Sequence, residues 1–241
     1  MNIYAMADLH LSFTEKFQID NLESTKLSKP MDIFGDKWDN HYLKIWRNWS
    51  ATVKEDDIVL VPGDISWALK LEEALFDLEF IERLPGKKIL GKGNHDYWWQ
   101  SLKKISEVTS DRIDILQNNC LPLNDEVVLC GTRGWLSPND IQFEEHNEKL
   151  YKRELIRLEN SLKKAPAGKK ILVMLHYPPV NDKHERSGFI ELMESYGVHT
   201  CIYGHLHDGS IRMRIEGDKW GINFQLVSAD YLDFKPKLIK I

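Results

Sequence analysis

The chain has 241 residues, with 32 Lys+Arg against 37 Asp+Glu and a formal charge of −5. Hydrophobic residues make up 42% and charged residues 29%, ordinary globular usage that excludes a disordered chain. The slight acidity argues against a charge-driven nucleic-acid binder, and no stretch approaches the ~20 apolar residues of a membrane span.

The chain opens with Asp8 preceded by no basic residue, unlike a signal peptide. Its three cysteines, Cys120, Cys130 and Cys201, are too scattered for a disulfide framework or a CxxC site. Buried thiols in a reducing cytoplasm are therefore expected. Residues 3–7, 58–61, 88–90, 127–130, 171–175 and 201–203 are short apolar runs bounded by turn residues, and read as buried strands. Between them, Tyr42, Ile45, Trp46, Trp49 and Val53 form a helical stripe. Leu71, Leu75, Leu78 and Ile81 form a second, and Leu150, Ile156, Leu158 and Leu162 a third. Residues 211–215 and 224–227 lack helical spacing and predict antiparallel strands. Alternating strands and helices followed by strands predict one α/β layered domain over residues 1–241, with helices outside a buried sheet.

In such sheets the ligand crevice lies beyond the carboxyl ends of the strands. Five predicted strands end in Asp8-Leu9-His10, Gly63-Asp64, Gly93-Asn94-His95-Asp96, His176 and Gly204-His205-Leu206-His207. Carboxylates, imidazoles and an amide without cysteine suit Mn, Fe, Zn, Ni or Mg better than a soft thiolate-bound ion. Asp8, His10, Asp64, Asn94, His176, His205 and His207 together supply about the seven donors that two ions need, with one carboxylate shared. Gly63, Gly93 and Gly204 would let backbone approach a ligand closely. A kink at Gly204 is expected, so that His205 and His207 can both serve the site. His41, His146, His184 and His199 match no ligand motif.

This pattern resembles the calcineurin-like metallophosphoesterases, whose motifs are DxH, GD, GNH(D/E), a His, and GHxH. The match spans residues 8 to 207. It implies a two-sheet αββα sandwich and a binuclear centre, with Mn or Fe leading and Zn or Ni compatible. One ion would be held by Asp8, His10, Asp64 and His207. The other would be held by Asp64, Asn94, His176 and His205, with Asp64 bridging. His95 matches the catalytic histidine, and Asp96 is expected to orient it and keep it cationic. Two cations about 3.5–4 Å apart lower the pKa of a bridging water, which then attacks phosphorus in line.

The expected activity is hydrolysis of small phosphate esters, with phosphodiesters or nucleotides favoured over monoesters and over nucleic acid. An inactive binding scaffold on the same fold should lack ligands or the catalytic histidine, whereas all are present here. One departure bears on substrate. The protein-phosphatase branch carries an Asp-Arg shortly after its GD, whereas this chain has Ile65-Ser66-Trp67-Ala68. Arg133 is the candidate replacement clamp, against the plainer reading of an ordinary solvated arginine. Trp67, Trp98, Trp99 and Trp135 follow strand-end loops. Core packing is the favoured reading for each, with Trp67 and Trp98 the candidates for a substrate-stacking platform. Residues 11–41 are long and weakly patterned, and are expected to form a substrate-covering insertion.

Overall fold

A computed structural model describes residues 1–18 and 25–241. In chain order its first strands are β1 (Ile3–Ala5), β2 (Ile58–Pro62), β3 (Lys87–Gly91), β4 (Ile113–Ile115), β5 (Cys120–Pro122) and β6 (Val127–Gly131). Then follow β7 (Lys170–Met174), β8 (Val198–Tyr203), β9 (Gly217–Lys219), β10 (Ile222–Leu226) and β11 (Lys237–Leu238). The helices are α1 (His41–Thr52), α2 (Leu75–Arg83), α3 (Leu102–Ser106), α4 (Glu145–Leu162) and α5 (Gly188–Ser195).

Two sheets form, in the orders β11-β1-β2-β3-β4 and β5-β6-β7-β8-β10-β9. Each is parallel at its centre; the first carries one antiparallel edge strand, β11, and the second two, β5 and β9. Side-chain alternation along each strand decides the layering. Ile58 and Leu60 of β2 face Leu129 of β6 and Leu172 of β7 in a core between the sheets. Val59 and Val61 point the other way, onto Ile45 and Trp49 of α1 and Leu78 and Ile81 of α2. On the far side, Val128, Val173 and Cys201 pack against Leu158 of α4 and Phe189 of α5. The fold is the αββα sandwich expected, with one core between the sheets and one under each helical layer.

Several local expectations are corrected. Residues 211–215 are not a strand: Asp208–Met213 winds as a 3-10 helix. The strand expected at 224–227 is β10, which pairs parallel with β8 and antiparallel only with β9. Ile156 is exposed, so the buried stripe of α4 is Asn147, Tyr151, Glu154, Leu158 and Leu162 instead. A carboxylate therefore occupies the apolar side of the longest helix. Cys130 and Cys201 are buried free thiols, whereas Cys120 is only half-buried.

The strand ends that matter are laced together. Asp8 N–H donates to the Gly63 carbonyl and His10 N–H to the Asp64 carbonyl, both at 2.9 Å. Ala7 N–H donates to the Val227 carbonyl at 2.7 Å, and the Ala7 carbonyl accepts the Ala229 N–H at 3.0 Å. Gly204 N–H donates to the His176 carbonyl at 3.1 Å. Both sheets thus deliver their carboxyl ends to one edge.

Candidate metal centre

Asp8, His10, Asp64 and His205 all have positive φ, at 62°, 45°, 51° and 73°. Such conformations are uncommon for residues with a Cβ, and they cluster where function holds strained backbone. The bend expected at Gly204 lies instead at His205. Glycine is still required at 204, because a Cβ there would meet Asp8 Oδ2 at 2.5 Å and Ala7 Cβ at 2.6 Å. Backbone and carboxylate are that close.

Asp64 stands at the middle of the donor set. Its Oδ2 lies 3.5 Å from His176 Nε2, 3.9 Å from His10 Nε2 and 4.0 Å from His95 Nε2. Its Oδ1 accepts the His95 backbone N–H at 2.8 Å. Asp8 Oδ1 is 3.6 Å from His207 Nε2, and its carboxylate accepts the His205 backbone N–H. Two groups of donors converge within 4.8 Å: Asp8, His10 and His207, and Asp8, Asp64 and His176. Asn94 Oδ1 adds to the second group, 2.6 Å from His176 Nε2 and 2.9 Å from His205 Nδ1.

The proton positions suit cations. His176 Nδ1 can only donate to the Pro62 carbonyl, 2.9 Å away, so its Nε2 lone pair faces Asp64 and Asn94. Burial holds His10, His205 and His176 below the ordinary imidazole range, leaving them neutral. Burial and the Asp96 and Asp8 carboxylates push Asp64 well above its usual value. Burial opposes ionisation of Asp8 too, yet His207, His176 and His10 outweigh it and hold its carboxyl low. His10 Nδ1 and His207 Nε2 are buried without a hydrogen-bond partner. Two crowded carboxylates, neutral imidazoles and unpartnered nitrogens are what a pair of divalent ions would satisfy. The residues present fit the group.

One supporting residue was not legible beforehand. Asp230, fully buried, accepts a bond from His207 Nδ1 at 2.8 Å. That contact fixes the tautomer and turns Nε2 toward Asp8. Despite burial, Asp8 and Asp230 raise His207 to about 10, so a cation binding there would displace a proton. Replacing Asp230 by asparagine keeps an acceptor but removes the charge. The expected result is a metal affinity lower by about 10–100-fold, read by competition with a chelator.

Three expectations change at the rim. Asp96 does not orient His95. Its buried carboxylate accepts the backbone N–H groups of Asp64, Ile65, Ser66 and Gly93 and the Trp98 indole N–H. It clamps the Asp64 loop to the Asn94 loop. His95 is accordingly not kept cationic: burial, His176 and Lys29 push it down to about 4. Trp98 is fully buried and bound to Asp96, so it is a core residue and no substrate platform.

Trp67 does reach the site. Its ring stacks on His10 at 4.9 Å and lies 4.3 Å from His95, with Lys29 Nζ 3.3 Å above it. The preceding Ser66 turns inward to donate to Asp77, so the protein-phosphatase arginine has no counterpart on this loop. The described part of residues 11–41 walls the site. Trp38 packs edge-on to both His10 and His207, and Met31 Sδ accepts the Trp67 indole N–H at 3.2 Å. Residues 19–24 of that segment lie outside the described residues. Arg133 anchors the site through its backbone: its carbonyl accepts His176 N–H at 2.9 Å and Tyr177 N–H at 3.0 Å. Its side chain turns toward Glu154 and the Trp135 ring.

Solved structures are similar to this chain. A protein of unknown function, AQ665, from Aquifex aeolicus is 17% identical over 98% of this chain and 95% of its own, with a TM-score of 0.47. The phosphopantetheinyl hydrolase of Mycobacterium tuberculosis is 14% identical over 99% of this chain and 95% of its own, with a TM-score of 0.52. Among curated proteins, no sequence relative matches. The family model for calcineurin-like phosphoesterases matches residues 1–209, a span that includes all five strand-end motifs. With that match and the donor geometry in agreement, the chain belongs to the calcineurin-like phosphoesterase family.

Proposed function

We propose that the chain is a binuclear metal-dependent phosphoesterase acting on small phosphate esters, with diesters or nucleotides preferred. The observation that carries this reading is the pair of donor groups sharing Asp8, with Asp64 Oδ2 within 4.0 Å of three imidazoles. Bound cations, with Mn or Fe the leading candidates, supply Lewis acidity and a water of lowered pKa. Asp8, His10, Asp64 and His207 would hold one, and Asp64, Asn94, His176 and His205 the other.

The chain's own groups do the rest. His95 stands at the mouth of the site with its side chain 35% exposed, free to reach a leaving oxygen. Held neutral, it carries a proton on one ring nitrogen and donates a hydrogen bond to the leaving oxygen as the ester bond breaks. Asp96 keeps His95 in place indirectly, by fixing both loops that flank it. Trp67 excludes water from one face of the His95 ring, and residues 11–18 and 25–41 cover the site on that side.

Ester preference follows from charge. A monoester is a dianion near neutral pH and gains from cationic donors beyond the metals, whereas a diester asks for less. The Asp64 loop offers an inward serine and an indole in place of an arginine. With Mn²⁺ supplied, kcat/KM for an aryl phosphodiester should therefore exceed that for the monoester of the same phenol. A monoester preference would refute that part of the proposal. No turnover of either ester, with metals bound, would favour an inactive scaffold.

A further inference from the structure

Beside the metal centre lies a cleft of about 240 Å³ lined by Lys92, Arg133, Arg153, Arg157 and the buried Glu154. Four cations face one carboxylate there. Glu154 Oε1 is 2.7 Å from Arg157 Nη1, 3.5 Å from Arg153 Nε and 3.8 Å from Arg133 Nη2. Its Oε2 accepts the Thr132 hydroxyl at 2.5 Å, so one carboxylate fixes three guanidiniums in a fan. It cannot neutralise them. Arg133 Nε is buried with no partner. Helix α4 buries this acid on its apolar side, a placement that packing alone does not favour.

The cleft adjoins the reacting site. Lys92 is two residues from Asn94, so their Cα atoms lie within roughly 7 Å. Arg133 is bonded through its carbonyl to His176. Its guanidinium sits 4.4 Å over Trp135, which packs on Tyr177, whose ring is 4.2 Å from that of His205. Guanidinium forks match phosphate oxygens in pairs, and excess positive charge in a partly dry cleft selects a polyanion.

We infer that this cleft is a second anion subsite, which seats an additional phosphate group of the substrate while the scissile phosphate lies on the metals. The inference rests on the phosphoesterase reading and narrows it to esters that carry a further phosphate. Arg133 then serves that distant group and does not replace the missing clamp on the scissile one.

The test uses the Mn²⁺-loaded protein and two matched diesters. One is methyl 4-methylphenyl phosphate, and the other carries a phosphonate on the para methyl carbon. The wild type should show a KM at least about tenfold lower for the phosphonate-bearing ester. In the double variant Lys92→Gln/Arg153→Gln the ratio of the two KM values should fall to about one. These two positions leave Glu154 paired with Arg157 and Thr132, and thermal melting checks that the variant is folded. A wild-type ratio near one, or a ratio unchanged in the variant, would overturn the inference while leaving the phosphoesterase reading intact. Absence of turnover with both esters counts against that reading instead. Calorimetric titration with 4-methylbenzylphosphonate then decides on the cleft alone: binding weakened at least tenfold in the variant supports it, and equal binding overturns it.

Discussion

Asp64→Asn is expected to abolish turnover, by about 10³-fold or more, and to lower the occupancy of both metals. The substitution is unusually clean. Asparagine tolerates the positive φ of 51° at this position, and its amide oxygen can still accept the His95 backbone N–H. What disappears is the negative charge at Oδ2, the one oxygen that faces His10, His95 and His176 together. Losing the charge shared between two cations forfeits several kcal/mol of electrostatic stabilisation, which corresponds to the rate loss stated. The metal-free protein should meanwhile be no less stable than wild type. Asp64 is buried beside Asp8 and Asp96, whose carboxylates repel its charge. Metal content by elemental analysis, activity and thermal melting check all three consequences. Two metals at wild-type occupancy would refute the bridging assignment.

The second large effect belongs to His95→Asn. A preorganised hydrogen-bond donor at the leaving oxygen is worth about 10²–10³-fold in rate, so kcat should fall by that factor while metal content stays unchanged. His95 Nε2 is 4.0 Å from Asp64 Oδ2, but the ring lies at the rim and belongs to neither converging donor group. The loss should shrink for a nitrophenyl ester relative to a methylphenyl ester, since a better leaving group carries less charge on its oxygen and needs less stabilisation. Loss of a metal ion would make His95 a ligand. An equal loss with both leaving groups would mean that it acts elsewhere in the reaction.

The donor set was legible in the sequence because each ligand follows a short apolar run, and parallel strands present their carboxyl ends at one edge. Supporting contacts were harder to read, because they join residues far apart in the chain. Asp230 is 23 residues from His207, in a stretch with no turn signature or periodicity to mark it. Asp96 was misread for the opposite reason. Its neighbour in sequence is His95, yet the backbone turns so that its carboxylate meets amides of the Asp64 loop, some 30 residues away. Trp98 shows the same limit, since following a strand-end loop does not decide which way an indole points. Glu154 carried a signal that hydrophobic counting passes over. It falls on the buried stripe with Tyr151 and Leu158, at helical spacing, and a charge in that position marks a site.

A binuclear phosphoesterase should hold two metal ions and need both to cleave phosphate esters. Equilibrium dialysis of metal-stripped protein against rising Mn²⁺, with aryl phosphodiester turnover measured on the same samples, tests it most directly. Binding should saturate at about two ions per chain, with turnover appearing only as the second fills. Saturation at one ion, or turnover undiminished in the stripped protein, would contradict it.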